Sequence, residues 1–258
     1  GPLSSVDKVD YASDTTAEVP SAAMSVGRYY TASTSSSSAG YFGGGYSDEY
    51  APTYTTSTMD KLTYSSDTTA LVPGADLSVR RAGLEATGNS TDGYFVGGAN
   101  PQYSIIDKLT YSTETTAEVP GTQLSAARGY MGGVGNTTDG YFGGGYYGGV
   151  TYSTMDKLTY SSDTLAETPG AALVDITWGI YATGNSTDGY FGGGSGPYST
   201  MNKLTYSSDT TAALPGAPLS SPRFFGDATG NSTAGYFGGG NNAAFLSTMD
   251  KLTYATDT

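Results

Sequence analysis

The chain has 258 residues, including 38 glycines and 23 tyrosines, and it contains neither cysteine nor histidine. This inventory excludes disulfides, thiolate or imidazole metal sites, and any catalytic nucleophile paired with histidine. The net charge of −13 opposes binding to nucleic acid or to an anionic membrane, and we interpret it as a contribution to solubility. Many glycines and aromatics with few helix formers favour an all-β fold.

A repeat of about 48 residues runs through the chain. One motif, Tyr-Phe followed by glycines, begins at Tyr41, Tyr94, Tyr141, Tyr190 and Tyr236. A second motif, Asp-Lys-Leu-Thr-Tyr with small variations, begins at Asp7, Asp60, Asp107, Asp156, Asn202 and Asp250. Because two independent motifs keep nearly the same step, the chain is a tandem array, and its period lies in the range of β-propeller blades.

In chain order, each repeat predicts four short strands. The first follows an arginine or its equivalent and ends in a turn such as 88–93, where we take Asp-Gly as the hairpin signal. The second strand is exemplified by 140–145 and the third by 59–64. The fourth, exemplified by 69–72, is stopped by a Pro-Gly pair. No segment keeps a helical period.

These units resemble the kelch repeat, in which an arginine precedes the innermost strand and a Gly-Gly pair ends the second strand. In that family a tyrosine lies in the third strand and a threonine four residues later, and Gly143, Gly144, Tyr160 and Thr164 match. The family's tryptophan is absent, so we expect smaller packing at the outer strand. Its positions hold Glu18, Leu71, Glu118, Glu167 and Ala213. The resemblance implies a β-propeller.

The repeated motifs Asp-Lys-Leu-Thr-Tyr and Gly-Tyr-Phe-Gly-Gly-Gly also resemble repeats in structural proteins of marine tailed phages. This second resemblance favours a location on a virion or an extracellular surface.

We therefore expect one domain over residues 1–258, an all-β propeller of about five four-stranded kelch-like blades with repeat boundaries near 28, 81, 128, 177 and 223. Residues 1–3 are attributed to an expression tag. Third-strand motifs occur at both ends, at 6–11 and 249–254, and 15–20 reads as a fourth strand without its own blade. We expect that strand to complete the last blade and close the ring through paired terminal strands.

One third strand is then surplus. It could fray, it could pair between molecules into a homo-oligomer, or it could show that the chain is a fragment of a longer array. A ring built from several chains is the alternative to closure within one chain.

Positions that differ between the repeats are better candidates for function than positions kept in all of them. Two regions vary: the start of the innermost strand and the loop between the second and third strands. Because alternate connections of an up-and-down sheet lie at opposite ends, both regions fall on one face. This face is rich in aromatics, which suit glycan or protein ligands, although scattered surface aromatics are ordinary. The candidate aromatic residues are Tyr29, Tyr30, Tyr46, Tyr103, Tyr130, Tyr147, Trp178, Tyr198, Phe224 and Phe245.

An arginine recurs thirteen residues before the Tyr-Phe pair in four repeats, and Thr177 takes its place in the other. At the mouth of a propeller such arginines could bind carboxylates of acidic sugars or peptides. The kelch resemblance implies instead that they lock one blade to the next. Both interpretations stay open, and the candidate set includes Arg28, Arg81, Arg128 and Arg223.

The favoured function is a non-catalytic binding module, a glycan- or cell-surface-recognising adhesin of a phage or microbial surface. The alternative is a structural or protein-interaction scaffold. We do not expect an enzyme, because kelch-type oxidases need His and Cys and no carboxylate pair is singled out by its spacing. No cofactor, catalytic residue or metal site is expected, and calcium at Asp-rich turns is left open. Four Asn-x-Thr sequons read as turn chemistry.

Overall fold

The structure is a computed structural model, and it describes residues 3–51, 53–175, 177–196 and 198–258. Gly1 and Pro2, which the sequence attributes to an expression tag, lie outside these residues. The fold is all-β and of the β-propeller type, with five blades. Three short 3₁₀ turns are described besides the strands, at Pro20–Ala22, Asp48–Tyr50 and Pro169–Ala171.

The chain forms two compact units, Gly1–Gly121 and Thr122–Thr258. The first unit begins with a two-stranded hairpin, β1 to β2, and continues with blade 1 (β3 to β6) and blade 2 (β7 to β10), in which each strand is antiparallel to the next. The strands are β1 (Asp7–Asp10), β2 (Thr15–Glu18), β3 (Ala32–Ser35), β4 (Ala39–Gly43), β5 (Met59–Thr63), β6 (Thr68–Leu71), β7 (Glu85–Gly88), β8 (Asp92–Val96), β9 (Ile105–Thr110) and β10 (Thr115–Gln123).

The second unit holds three blades. Its strands are β11 (Gly132–Gly135), β12 (Asp139–Gly143), β13 (Tyr146–Tyr147), β14 (Val150–Thr151), β15 (Met155–Thr159), β16 (Thr164–Glu167), β17 (Tyr181–Gly184), β18 (Asp188–Gly192), β19 (Met201–Thr205), β20 (Thr210–Ala213), β21 (Phe224–Gly230), β22 (Ala234–Asn241) and β23 (Met249–Thr253). Blade 3 is β11, β12, β15 and β16, and β13 to β14 is a small hairpin in its loop. Blade 4 is β17 to β20, and blade 5 is the three-stranded sheet β21 to β23.

The predicted order of four strands per repeat is confirmed in blades 1 to 4. The turn between the first and second strands differs in detail, because Asp92 already belongs to β8. The turn is held by Asn89, whose Oδ1 accepts the N–H of Thr91 at 2.8 Å and of Asp92 at 2.9 Å. The residue that forms the turn is therefore Asn89, and not the Asp92-Gly93 pair. This agrees with the interpretation of the Asn-x-Thr sequons as turn-forming sequences.

Strand β2 does not join the last sheet as the sequence predicted. It pairs with β1, with Asp7 opposite Glu18 and Asp10 opposite Thr15, and the last sheet has three strands among the described residues. A hairpin closes through a short turn, whereas the predicted pairing would join residues far apart in the chain. The local pairing therefore has the smaller loop-closure entropy to overcome.

Neighbouring blades within a unit pack through a glycine on one side and a phenylalanine on the other. A Cβ added to Gly43 of blade 1 would lie 2.8 Å from the ring of Phe95 in blade 2. In the second unit, Gly192 stands in the same relation to Phe237 at 3.3 Å. The phenylalanine rings are fully buried, so these positions need glycine because the next blade's ring occupies the space of a side chain.

Tyrosine rings of adjacent blades also stack on each other. Tyr141 lies 5.2 Å from Tyr206, and Tyr190 lies 5.0 Å from Tyr254, with nearly parallel rings. The Tyr190 hydroxyl donates a hydrogen bond to Asp257 at 2.8 Å, and Lys203 pairs with the same carboxylate at 2.9 Å. Asp209 makes the same two contacts with Tyr141 and Lys157, so within the second unit blades 4 and 5 each present a carboxylate to a lysine and a tyrosine of the preceding blade, which fixes the spacing between them.

Alkaline pH is expected to weaken this packing. Burial raises the pKa of Tyr111 to about 12 from an ordinary value of 10.0, and it raises the pKa values of Tyr141, Tyr190 and Tyr206 further. On raising the pH, these tyrosines therefore lose their protons at a lower pH in the unfolded chain than in the folded chain. The stability from these phenols is complete below pH 10 and is lost as the pH rises from 10 to about 12.

The measurement is urea unfolding at a series of pH values, beside the ultraviolet absorbance of tyrosinate in the folded chain. Stability that stays constant across this range, with all tyrosines titrating near their ordinary value, would contradict the expectation.

Candidate functional site

The four candidate arginines are buried, and each pairs with the aspartate that opens the Asp-Lys-Leu-Thr-Tyr motif of its own blade. In blade 3, Arg128 lies 2.7 Å from Asp156, and its Nε donates to the carbonyl oxygen of Gly144 at 2.8 Å. Ser125 completes the group, because its hydroxyl donates to Asp156 at 3.0 Å. The guanidinium groups therefore tie together the second and third strands of one blade, which favours a structural role over capture of an exposed ligand.

The main chain at the same position links successive blades. The N–H of Gly45 in blade 1 donates to the carbonyl oxygen of Arg81 at 3.0 Å. Gly194 in blade 4 donates to the carbonyl oxygen of Arg223 at 2.9 Å. The kelch resemblance implied that arginine joins blades through its side chain. In this chain the bonds from Gly45 and Gly194 to the next blade are accepted by the carbonyl group of the arginine, and the arginine side chain bonds within its own blade.

Blade 4 replaces the whole buried group. Thr177 stands in place of arginine, Asn202 in place of aspartate, and Val174 in place of serine. The N–H of Val174 still donates to Asn202 Oδ1 at 3.1 Å, and Gly145 still donates to the Thr177 carbonyl oxygen at 2.8 Å. Both charges are removed together while the main-chain links persist. This agrees with the large penalty for leaving one buried charge unpaired.

This pattern predicts that the two charges depend on each other. Replacing Arg128→Thr alone should lower the free energy of unfolding by about 3–5 kcal/mol, because Asp156 would stay buried without its partner. The double variant Arg128→Thr with Asp156→Asn should regain much of that loss, since it copies blade 4. Urea unfolding measures both values, and a double variant no more stable than the single variant would contradict the prediction.

The two variable regions lie side by side within each blade, at the entry to the innermost strand. Tyr29 bridges to Tyr46, Ala82 to Ala99, and Gly129 to Tyr146. In blade 4 the N–H of Ser195 donates to the Trp178 carbonyl oxygen at 2.8 Å, and in blade 5 Phe224 is opposite Asn241. The same backbone position thus displays a different pair of side chains in every blade.

The next residue has a left-handed backbone in all five blades. Glycine fills this position in blades 2 and 4, with φ of 61° at Gly83 and 64° at Gly179. Aromatic residues fill it elsewhere, with φ of 58° at Tyr30, 59° at Tyr130 and 56° at Phe225. Such a conformation costs a bulky residue about 1–3 kcal/mol, and strain of this kind clusters at functional sites.

Trp178 is the centre of an aromatic cluster in the second unit. Its ring lies 5.2 Å from Phe225, 5.4 Å from Tyr146, 5.9 Å from Tyr130 and 6.2 Å from Phe224, and the contacts are tilted or edge-on. All five side chains are partly exposed. We call this group the Trp178 cluster. It joins residues from blades 3, 4 and 5 into one half-buried aromatic surface.

A smaller group lies in the first unit. The rings of Tyr29, Tyr30 and Tyr46 lie within 5.0 to 6.2 Å of one another. Burial raises the pKa values of Tyr30 and Tyr46, and the neighbouring Tyr29 adds to the effect. These phenols therefore stay protonated at neutral pH and can both donate and accept hydrogen bonds.

The remaining aromatic candidates stand apart from both groups. Tyr103 and Tyr198 are half-buried in their own loops. Tyr147 is 45% exposed and Phe245 is 92% exposed, and neither contacts the Trp178 ring in the described part of the chain.

Two members of the Trp178 cluster are missing from the candidate set drawn from the sequence. Tyr146, and not Tyr147, contacts the tryptophan, and Phe225 joins Phe224. Comparison of equivalent positions in the repeats could have identified both residues. Tyr146 directly follows three glycines, as the candidate Tyr46 does, and Phe225 occupies the position of Tyr30 and Tyr130.

Among the described residues, no group of three or more acidic side chains gathers closely enough to hold a metal ion. No helix in the same ranges is long and apolar enough to span a membrane. A comparison with protein-family models finds no matching family, and a comparison with curated proteins finds no match.

The cluster depends on Gly179, which lies beneath Phe225. A Cβ at this position would lie 3.1 Å from the Phe225 ring, and the backbone φ is 64°. Gly179→Ala should therefore cost about 1–2 kcal/mol for the left-handed backbone, plus about 1–3 kcal/mol for overpacking. It should also shift the fluorescence of Trp178, the single tryptophan of the chain.

Gly148→Ala is the matched control, since its φ is 57° and nothing lies within 4 Å of the added Cβ. Equal losses of stability in the two variants would show that crowding by Phe225 contributes nothing.

Proposed function

We propose that the chain is a non-catalytic binding module that recognises a glycan through the Trp178 cluster. The observation that carries the proposal is the convergence of five partly exposed aromatic side chains at the position where the repeats differ most. Aromatic faces offer a surface for the CH faces of sugar rings. The Tyr130 and Tyr146 hydroxyls are able to bond sugar hydroxyls.

Polar groups beside the cluster support the same choice. Ser195 is bonded through its main chain to Trp178, and Asn241 is opposite Phe224. A hydroxyl and a carboxamide at the rim of an aromatic surface match the mixed character of a sugar. Ligand sites commonly combine apolar walls with a few polar groups that orient the ligand. The arginines are not part of this proposed site, because their side chains are buried and paired.

We extend the proposal to the setting of the module. The match of Gly143, Gly144, Tyr160 and Thr164 to the kelch pattern supports a kelch-like origin. The likeness of the two motifs to phage structural repeats supports an adhesin on a virion or microbial surface.

A protein-interaction scaffold is the second candidate, and exposed apolar loop residues favour it. Phe245 is 92% exposed, and Tyr147 and Val150 also project into solvent in the second unit. Tyrosine and phenylalanine in loops are common contacts at protein interfaces.

The test is binding of the purified chain to a glycan array, beside the variants Trp178→Ala and Phe245→Ala. We expect selective binding that weakens about tenfold or more in Trp178→Ala, since loss of a central aromatic contact costs about 1.4 kcal/mol or more. Phe245→Ala is the matched control, because it removes an exposed aromatic outside the cluster. It should bind as the unchanged chain does.

Glycan binding that survives Trp178→Ala would contradict the site while keeping the class of ligand. An absence of glycan binding, in a chain whose circular dichroism and thermal unfolding are unchanged, would favour the scaffold.

A further inference from the structure

The Trp178 cluster combines two chemically different parts. In the part from blade 5, Phe224 and Phe225 contact each other at 5.1 Å and lie 6.2 and 5.2 Å from the Trp178 ring. In the part from blade 3, Tyr130 and Tyr146 lie 5.9 and 5.4 Å from the same ring. Phenylalanine side chains have no hydrogen-bonding group, whereas each tyrosine has a hydroxyl. A ligand that covers Trp178 therefore meets a partly exposed apolar surface on one part and polar groups on the other.

The basic side chains of the second unit are all engaged in contacts that hold the blades. The unit has five of them against ten acidic residues. The two arginines are buried and paired with aspartates of their own blades, and each of the three lysines lies 5.3 to 5.4 Å from the centre of a tyrosine ring. These residues are Arg128, Arg223, Lys157, Lys203 and Lys251. An anionic group of a ligand would have to compete with these contacts for a counter-charge.

The loop that leads to Trp178 carries a carboxylate. Asp175 lies three residues before Trp178, and its side chain is half-buried. The same loop runs beside the loop of blade 3 that carries Tyr146, because the N–H of Thr177 donates to the carbonyl oxygen of Tyr152 at 3.1 Å. A negative charge on this loop repels an anionic ligand and has little effect on an uncharged one.

We propose that the Trp178 cluster binds an uncharged sugar that carries a methyl group, as N-acetyl and 6-deoxy sugars do. The inference rests on the proposed function and names the class of glycan. The methyl group packs on Phe224 and Phe225, and the sugar hydroxyls bond the phenols of Tyr130 and Tyr146. N-acetyl and 6-deoxy sugars share this chemistry, and the test separates them.

Two differences in affinity follow from this arrangement. Burial of one additional carbon group strengthens binding about fourfold, so the methyl-bearing form of a sugar should bind about fourfold more tightly than the form without it. A carboxylate or sulfate would lose its hydration without gaining a counter-charge. We therefore expect the acidic form of a glycan to bind about tenfold or more weakly than its neutral form.

The test uses matched pairs of glycans on an array, followed by titration of the pairs that bind. One set of pairs compares a hexose with its N-acetylhexosamine, a second compares a hexose with the 6-deoxyhexose of the same configuration, and a third compares neutral glycans with their sialylated or sulfated forms. Phe224→Ala should abolish the preference for the methyl-bearing form. Phe245→Ala is the matched control, since it removes an exposed phenylalanine outside the cluster, and it should keep the preference.

A further pair of variants tests the charge of the loop. Asp175→Asn should narrow the difference between neutral and acidic forms severalfold. Ser207→Lys makes the same change of one charge in the exposed turn between β19 and β20, and it should leave the difference as it is. Equal effects of the two variants would overturn the role given to Asp175.

The outcomes separate this inference from the proposed function. Equal binding of both members in every methyl pair would overturn the inference alone. Tight binding of acidic glycans that is lost in Trp178→Ala would do the same, because the site would then be a glycan site of another class. A chain that binds no glycan, with unchanged circular dichroism and thermal unfolding, would overturn the proposed function and this inference together.

Discussion

The residue at the entry to a blade makes two kinds of linkage, one through its side chain and one through its main chain, and the regularity of the fold depends on them. Its side chain, an arginine in four blades, pairs with an aspartate of the third strand and, as at Arg81 and Arg128, bonds carbonyl groups at the end of the second strand. In blades 2, 4 and 5 the carbonyl oxygen of this residue accepts an N–H from a glycine of the preceding blade. The first linkage requires matched charges, because a buried charge without a partner is severely destabilising. The second requires only a backbone, and for that reason Thr177 can replace arginine without loss of the blade-to-blade bond.

This division of roles explains where the sequence is free to vary. The strands, the interblade glycines and the tyrosine stacks are confined by contacts with the next blade, since an added Cβ at Gly43 or Gly192 would meet a phenylalanine ring. The residue directly after the entry position and the loop residue opposite it instead differ from blade to blade, as in the pairs Tyr29 with Tyr46 and Gly129 with Tyr146. Blade 4 shows the freedom most fully, because it gives up the ion pair and places the single tryptophan directly after Thr177. Trp178, the centre of the cluster, thus belongs to the blade in which threonine and asparagine replace the buried arginine and aspartate.

Much of this could be predicted from the sequence, because the repeat supplies its own comparison. The period, the four strands and the aromatic character of the variable positions follow from five copies of one pattern. The role of the arginines was also recoverable, since Val174, Thr177 and Asn202 change together in one repeat and show that serine, arginine and aspartate act as a set. The pairing of β2 was not recoverable. Strands β1 and β23 share one motif, and the choice between them depends on loop closure and on burial, which the motif does not encode.

The backbone at Tyr30, Tyr130 and Phe225 adds an argument about selection. Gly83 and Gly179 show that glycine satisfies the same left-handed position, and there its conformation carries no steric penalty. The aromatic residues are therefore not required by the fold, and each carries about 1–3 kcal/mol of strain that glycine would avoid. Packing around Trp178 offsets part of this strain for Tyr130 and Phe225, yet their rings are still partly exposed and leave apolar surface in contact with water. A ligand that covers this surface would account for aromatic residues at positions where glycine folds as well.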